Sequence, residues 1–341
     1  MKFWTQSCSD LVSTSVRALS FWTLVASTAS KRECQNGRYA SDRVYATTRT
    51  LKCVLLIVLL GGLLSGCETS TEENTGPRYG QDPDPRPVLR LAIHPLHNPA
   101  RLLRTYQPLI AHLQTRLPAY RFELEASRDY ASYERKIEAR GPELLLPNPL
   151  QTLRAIERGY TVVAMAGDAE MFRGLILVPK DSGIHRLSDL KGRRVSFPAP
   201  TALAAAIMPQ RMMQNHGLAP GKDFELLYVG SQESSMVAVL NGLSDAASTW
   251  LQPWQDFQDD RPDDAARLRV LAITPPLVNN AFMVRNDLPP SLRAELALEL
   301  VNLHQDQTPQ AVLRAARIRR FNPANNASYE VVRQYLAAPA P

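Results

Sequence analysis

Strand-like and helix-like segments alternate along this chain, and the alternation occurs twice, over residues 88–166 and residues 194–248. Val88–Ile93 and Arg194–Phe197 are short, largely apolar segments typical of strands, and helix-like spacings of three and four residues follow. Such alternation favours an α/β fold with mainly parallel sheets. Two runs predict two lobes, each a mainly parallel sheet flanked by helices. The ligand cleft then lies between the lobes, at the carboxyl ends of the strands.

The order of the segments also predicts where the chain changes lobe. We expect residues 88–172 and 275–341 to form the first lobe and residues 173–274 to form the second. A helix is expected over residues 201–216, after the Arg194–Phe197 strand. The C-terminal part is expected to be helical over residues 289–303, 309–320 and 327–336.

The charge distribution argues against nucleic acid as a partner. The 341 residues include 39 Lys or Arg and 33 Asp or Glu. Eight of the basic and three of the acidic residues lie in residues 1–67, so the remaining body is almost neutral. A neutral body lacks the electrostatic footprint needed for a phosphate backbone. All four cysteines, Cys8, Cys34, Cys53 and Cys67, also lie in this leader, which excludes internal disulfides and Cys-based zinc sites after Cys67.

The leader determines the expected compartment. Arg49 and Lys52 precede an apolar run over residues 53–64. This arrangement is typical of a signal peptide, and the run is too short to span a bilayer. Residues 64–67 (LSGC) resemble a bacterial lipobox, which implies cleavage before Cys67 and its modification with acyl chains such as palmitate. The alternative is a plain signal peptide with a chance cysteine. We therefore expect an over-extended leader and signal peptide in residues 1–66, and a lipidated Cys67 with a flexible tether in residues 67–87.

Several motifs, in order, resemble one family. They are residues 106–110 (YQPLI), 173–184 (RGLILVPKDSGI), 187–192 (LSDLKG), 229–231 (VGS), 237–242 (VAVLNG), 245–247 (DAA) and 286–290 (NDLPP). Together they are similar to the phosphate and phosphonate ABC-transporter substrate-binding proteins, which have the type 2 periplasmic solute-binding fold. The resemblance implies a lipoprotein of the periplasm, anchored in the inner or the outer membrane, that works with an ABC permease.

The resemblance also implies an anion site, from which this sequence departs. The family's Ser-Thr-Ser run at a helix start corresponds here to Ala202-Leu203-Ala204, with Thr201 the one hydroxyl nearby, and the family histidine is Gln232. Each lost hydrogen bond to a charged group is worth about 1.5–3 kcal/mol, so the sequence does not identify the ligand. The expected ligand-binding residues are His94, Asn148, Phe172, Thr201, Ala202, Ser231, Gln232 and Trp250.

The leading hypothesis is a lipid-anchored receptor of an ABC importer that binds a small oxyanion of the phosphate, phosphite or phosphonate type. The alternative is a sensing or scaffold lipoprotein of the same fold, with a different ligand and no permease. No catalytic motif supports an enzyme. We expect no metal, since His94 and His97 form only a weak metal pair. We also expect no cofactor and a monomer. The acid pairs Asp259-Asp260 and Asp263-Asp264 are expected in a solvated loop.

The lipobox leads to a direct prediction. Cys67→Ser should release the protein from membranes into the soluble fraction, because each acyl CH₂ buried in the bilayer contributes about 0.8 kcal/mol. Fractionation of cells followed by immunodetection measures this. Cys53→Ser, within the apolar run, is the matched control and should stay with the membrane. Unchanged membrane retention of the Cys67→Ser variant would contradict the acyl anchor.

Overall fold

The computed structural model describes residues 84–305 and 309–338. The predicted signal peptide, Cys67 and the tether before residue 84 lie outside the described residues. The strands are β1 (Val88–Ile93), β2 (Arg121–Glu125), β3 (Leu144–Leu146), β4 (Tyr160–Ala166), β5 (Gly174–Pro179), β6 (Arg194–Phe197), β7 (Glu225–Tyr228), β8 (Ala246–Trp250), β9 (Leu268–Ile273), β10 (Ala281–Arg285) and β11 (Phe321–Pro323).

Helices connect and cover these strands. The α-helices are α1 (Pro99–Arg116), α2 (Tyr130–Glu138), α3 (Pro149–Glu157), α4 (Met208–Asn215), α5 (Gln232–Leu240), α6 (Leu251–Asp260), α7 (Pro262–Ala266), α8 (Pro290–Asn302), α9 (Pro309–Ala315) and α10 (Glu330–Ala337). Short 3₁₀ turns occur at Ala169–Met171, Leu187–Leu190 and Asn326–Tyr329, and a π-helix at Leu203–Ile207. None of the helices in the described part of the chain combines the length and apolar composition that a bilayer-spanning helix requires.

The strands form two sheets, one in each lobe. The first lobe has the order β11-β4-β10-β3-β1-β2 and the second has β7-β6-β8-β5-β9. Helices α1–α3 and α8–α10 pack on the first sheet or its helices, and α4–α7 on the second. The α/β class with two lobes therefore agrees with the expectation from the sequence.

Both sheets are mixed, which corrects the expectation of mainly parallel sheets. Strand β1 is parallel to β2 and β3, and β6 is parallel to β7 and β8. However, β10 and β11 run antiparallel to their neighbours in the first lobe, and β5 is antiparallel to both β8 and β9 in the second. The antiparallel strands include β5, β9 and β10, which adjoin the two segments that cross between the lobes.

The two crossing segments, residues 167–173 and 274–280, bind each other. The Leu277 N–H donates to the Phe172 carbonyl at 3.1 Å. Where the first crossing enters β5, the Gly174 N–H donates to the Thr274 hydroxyl and the Thr274 N–H donates to the Gly174 carbonyl, both at 2.9 Å. The Asn279 side chain donates to the Asp168 carbonyl at 2.9 Å. Gly167 has a φ of 90°, a conformation that favours glycine. The two crossings are therefore bonded to each other and are not two independent linkers.

The apolar periodicity of α1 shows how the core follows from the sequence. Asn98 caps the helix by accepting a hydrogen bond from the Arg101 N–H at 3.0 Å, and Pro99 occupies its first turn. The spacing of three and four residues then buries one stripe against the first sheet: Leu102, Tyr106, Leu109, Ile110 and Leu113. A second apolar cluster extends through both lobes and includes Phe172 and Trp250 beside the cleft.

Two segments depart from the expected elements. The helix expected over residues 201–216 begins as a π-helix, in which the Ile207 N–H reaches back five residues to the Ala202 carbonyl at 3.3 Å. Pro209 follows and has no N–H to continue the α-helical pattern. The helix expected to reach residue 320 ends at Ala315, and the three-residue strand β11 was not predicted because it is too short to show a period.

Gly174 generates a test of this packing. A Cβ atom there would lie 2.2 Å from the Ala204 carbonyl oxygen and 2.7 Å from Pro209 Cγ. Gly174→Ala should therefore destabilise the protein by about 1–3 kcal/mol through overpacking, measured as a lower midpoint of thermal unfolding. Gly183→Ala is the control, since a Cβ atom added at Gly183 would meet nothing within 4 Å. Equal stability of the two variants would contradict the close approach of β5 to the π-helix.

Candidate functional site

A small cavity of about 10 Å³ lies between the lobes, enough for about one water molecule. Both lobes contribute to its wall, and the chain segment at Phe172 closes it. The lining residues are His94, Tyr130, Asn148, Phe172, Ala202, Leu203, Ala204, Ala205, Gln232 and Trp250. Two larger clefts do not lie between the lobes. One, of about 400 Å³, is in the second lobe and is lined by residues that include Pro179, Leu240 and Leu268. The other, of about 440 Å³, is beside α9 in the first lobe.

The first lobe presents its wall at strand ends and helix starts. His94 directly follows β1, and its backbone N–H donates to the Leu146 carbonyl at 3.1 Å. Tyr130 is the first residue of α2, which Asp129 caps by accepting a hydrogen bond from the Ser132 N–H at 2.7 Å. Asn148 caps α3 in a reciprocal pairing with Gln151. The strand order therefore delivers three polar side chains to one edge of the sheet.

The second lobe presents a wall with less polarity. Ala202 and the first residues of the π-helix are buried and carry only methyl or isobutyl side chains, although their backbone N–H groups begin a helix. Gln232 is the first residue of α5, and Trp250 is the last residue of β8. The rings of Trp250 and Phe172 are 5.3 Å apart between centroids. This wall offers apolar surface and backbone donors rather than side-chain hydroxyls.

Polar side chains from opposite walls bind each other across the cleft. The Asn148 amide donates to the Thr201 carbonyl at 3.1 Å. The Gln232 amide donates to the Tyr130 hydroxyl oxygen at 3.3 Å, and its carbonyl accepts from the Thr249 hydroxyl at 3.1 Å. Since Asn148, Gln232 and Thr249 are all buried, these bonds offset the cost of removing them from water. The described arrangement is therefore closed.

The wall of the cavity carries no charged side chain at neutral pH. The pKa of His94 is lowered to about 4, mainly by burial and in smaller part by His97, although the hydrogen bond to the Leu146 carbonyl opposes the shift. Burial also raises the pKa of the Tyr130 hydroxyl, which stays protonated. The other lining residues have no ionisable group. Among the groups that line the cavity, only the helix N-termini contribute positive potential.

Six of the eight residues expected from the sequence line this cavity: His94, Asn148, Phe172, Ala202, Gln232 and Trp250. Thr201 and Ser231 are not among its lining residues. Thr201 contributes its carbonyl to the bond with Asn148, and the Ser231 hydroxyl caps α5 by accepting from the Ser234 N–H at 3.0 Å. Sequence reasoning missed Tyr130, although its place at a helix start after β2 is the same signal that identified Asn148.

An ionic clasp joins the lobes beside the cavity. Asp256 of α6, 4% exposed, faces one imidazole and two guanidinium groups of the first lobe. His97 Nε2 lies 3.2 Å from Asp256 Oδ2, Arg101 Nη2 lies 3.4 Å from Oδ1, and Arg317 pairs with Oδ1 through Nε.

On another part of the boundary, Arg211 of α4 donates to the carbonyls of Tyr335 and Ala338. Both contacts hold the lobes together without using the cavity.

The acid pairs beyond Asp256 were wrongly expected in a loop. Asp259 and Asp260 end α6, where they pair with Arg317 and Arg101, and Asp263 and Asp264 lie in α7. The sequence predicts a helix over residues 251–257, but it did not show that α6 extends to Asp260 or that α7 follows, because Pro262 separates two short segments. Within residues 84–305 and 309–338, no group of three or more His, Cys, Asp or Glu side chains is arranged to hold a metal ion.

Two α/β lobes joined by paired crossings, with a space between them at strand ends, define the class of two-lobed periplasmic solute-binding proteins. A family model described as "ABC transporter, phosphonate, periplasmic substrate-binding protein" matches residues 91–329. The chain therefore belongs to that family.

Individual relatives agree with this family. A probable phosphite-binding protein of an ABC transporter, PhnD1 from Prochlorococcus marinus, is 21% identical over 186 residues, which cover 51% of this chain and 63% of that protein. The crystal structure of PhnD1 with methylphosphonate has a TM-score of 0.67 at 19% identity, covering 72% of this chain and 96% of that one. A binding component of a phosphonate transporter from Pseudomonas aeruginosa has a TM-score of 0.68 at 18% identity, covering 73% and 85%.

The clasp predicts an effect on lobe closure. Asp256→Asn should open the cleft, because His97, Arg101 and Arg317 would lose the buried carboxylate that they share, and the two arginines would keep only the more exposed Asp260 and Asp259. The change should cost about 1–3 kcal/mol of stability. Small-angle X-ray scattering would measure a larger radius of gyration.

Glu143→Gln is the matched control for the clasp. Glu143, 8% exposed, pairs with Arg90 at 3.0 Å and Arg285 at 3.3 Å, all within the first lobe. This variant should lose comparable stability with no change in radius. An equal radius for the wild type and the Asp256→Asn variant would show that the clasp does not hold the lobes.

Proposed function

We propose that this chain is the substrate-binding receptor of an ABC importer and that it captures a small oxyanion of the phosphate, phosphite or phosphonate type between its lobes. The observation that carries the proposal is the cavity at which helix starts from both lobes meet, in a chain whose family match covers residues 91–329. Helix N-termini provide backbone N–H donors and positive potential, which suit an anion.

Binding is expected at the residues that line the cavity. The N–H groups that begin the π-helix and α5 would donate to the oxyanion, and the Tyr130 hydroxyl has a proton available for a further bond. Asn148 and Gln232, which bond across the cleft in the closed arrangement, would exchange those bonds for bonds to the ligand. Phe172 and Trp250 would exclude water from the occupied site.

Capture requires the cleft to open, because a cavity of about 10 Å³ cannot admit a phosphonate. We take residues 88–172 with 275–341 and residues 173–274 as the two moving lobes. Opening would separate Asn148 from Thr201 and Tyr130 from Gln232 and bend the paired crossings near Gly167. Closure on the ligand would replace those interlobe bonds by bonds through it.

The proposal extends to the location of the receptor. Acylation of Cys67 would anchor it in the periplasm, in the inner or the outer membrane, with residues 68–87 as the tether. A monomer would deliver its ligand to an ABC permease. The protein would bind its ligand stoichiometrically and would not convert it to a product.

A thermal-shift screen of the full-length protein tests the function. Methylphosphonate, phosphite or phosphate at a hundredfold excess over its Kd should stabilise the protein by about 2.7 kcal/mol, or about 5–10 °C in Tm. Neutral amines are the negative ligands. If none of the phosphorus oxyanions raises Tm, the alternative with a different ligand and no permease replaces this proposal.

A pair of tyrosine variants connects binding to the cavity. Tyr130→Phe removes a hydroxyl from the cavity wall and should weaken oxyanion affinity about 10–100-fold. Tyr133→Phe removes a hydroxyl on the same helix that faces the Ala92 carbonyl at 3.3 Å, outside the cavity lining. Its affinity should match the wild type. Equal affinity of both variants would place the ligand elsewhere.

A further inference from the structure

The hydrogen-bonding state of His94 is determined by its neighbour. His94 Nδ1 lies 3.0 Å from the Leu146 carbonyl oxygen, which also accepts the backbone N–H of His94 at 3.1 Å. A carbonyl oxygen only accepts hydrogen bonds, so Nδ1 carries a proton. In the neutral imidazole the other nitrogen, Nε2, then has a lone pair and no proton.

His94 is neutral because it is buried. Its exposed fraction is 2%, and burial lowers its pKa to about 4. The titratable groups around it are His97, three residues along the same loop, and Tyr130 on α2, whose ring lies 6.4 Å away between centroids. The facing residues of the second lobe, Gln232 and Trp250, do not titrate.

Nε2 of His94 has no hydrogen-bonding partner among the residues that the structure describes. Because His94 lines the cavity, its Nε2 is a hydrogen-bond acceptor that a ligand bound there would face. The remaining groups available there are donors: the Tyr130 hydroxyl and the N–H groups at the helix starts. A ligand that satisfies both kinds of group has oxygens that accept and one O–H that donates.

We propose that His94 is a specificity-determining residue whose Nε2 accepts a hydrogen bond from an acidic O–H of the ligand, so that the site selects singly protonated phosphorus oxyanions over sulfonates and sulfate. This inference rests on the proposed function and names the ionisation state of its ligand. It depends on the geometry of His94 against Leu146 and on a cavity wall without a charged side chain.

The physical basis is an unpaired lone pair. A fully ionised oxyanion would place an oxygen lone pair against that of Nε2, which is repulsive, and would leave a buried acceptor unsatisfied. Sites built to bond a ligand O–H reject analogues without it by large factors, up to about 10⁴–10⁵. The uncharged wall also favours a singly charged ligand over a dianion, whose removal from water is more costly.

Calorimetry on the full-length protein tests the inference with two ligands of similar shape. Methylphosphonate carries an acidic proton in its monoanion and methanesulfonate does not. At about pH 5.5, below the range in which phosphate-type groups lose their last proton, we expect methylphosphonate to bind at least about 100-fold more tightly. Methanesulfonate binding within about tenfold of methylphosphonate would overturn the inference.

Proton linkage provides a second measurement that needs no variant. At about pH 8.5, methylphosphonate in solution is mainly a dianion, so binding its monoanion should take up close to one proton per ligand. Titrations in two buffers of different ionisation enthalpy measure this uptake. Binding without proton uptake would contradict the role of His94.

A variant pair assigns the selectivity to His94. His94→Phe keeps an aromatic ring and removes the acceptor, so the preference for methylphosphonate over methanesulfonate should fall below about tenfold. His216 is the control, since its Nδ1 also contacts a carbonyl, that of Met212 at 2.7 Å, on the exposed surface. His216→Phe should keep the full preference. If His94→Phe does not fold, the wild-type proton uptake decides.

The outcomes separate the two proposals. Tight binding of methylphosphonate with equal binding of methanesulfonate would leave the oxyanion receptor in place and overturn the role of His94. Absence of binding by methylphosphonate, phosphite and phosphate would overturn both.

Discussion

Burial of polar groups in the cleft is the constraint on which this structure depends. Asn148, Gln232 and Thr249 are removed from water, so each must find a partner, and Asn148 and Gln232 find theirs across the gap between the lobes. The same requirement orients His94 against Leu146. The Tyr130 proton and His94 Nε2 then stand available to a ligand. The proposed specificity of the site follows from this one unused donor and this one unused acceptor.

The charged side chains that join the lobes lie outside the cavity. Asp256 lies against His97, Arg101 and Arg317 at the boundary between the lobes. The cavity wall, which includes Trp250 a short distance before Asp256 in the chain, has no charged side chain. Ion pairs at the boundary therefore stabilise closure without competing with an anionic ligand for donors. Backbone N–H groups at the helix starts provide attraction for the ligand, and they suit one negative charge better than two.

Much of the fold could be predicted, because helix caps and apolar periodicity depend on residues that are close together in the sequence. Asn98-Pro99 and Asn148-Pro149 begin helices as expected, and six of eight expected site residues line one cavity. The π-helix at Leu203–Ile207 and strand β11 could not be anticipated in the same way. Each depends on a neighbour distant in sequence: Gly174 packs against the π-helix, and β4 pairs with β11.

The sequence by itself determined the two α/β runs, the near-neutral body and the absence of side-chain hydroxyls at Ala202-Leu203-Ala204. These are properties of composition and short-range period. Only the tertiary structure decided that the sheets are mixed, that Asp256 joins the lobes and that no residue in the described part of the chain bonds to His94 Nε2. The reason is physical: strand pairing, ion pairing and tautomer choice are set by groups far apart in the chain, such as His94 and Leu146 or Arg101 and Asp256, which no local pattern records.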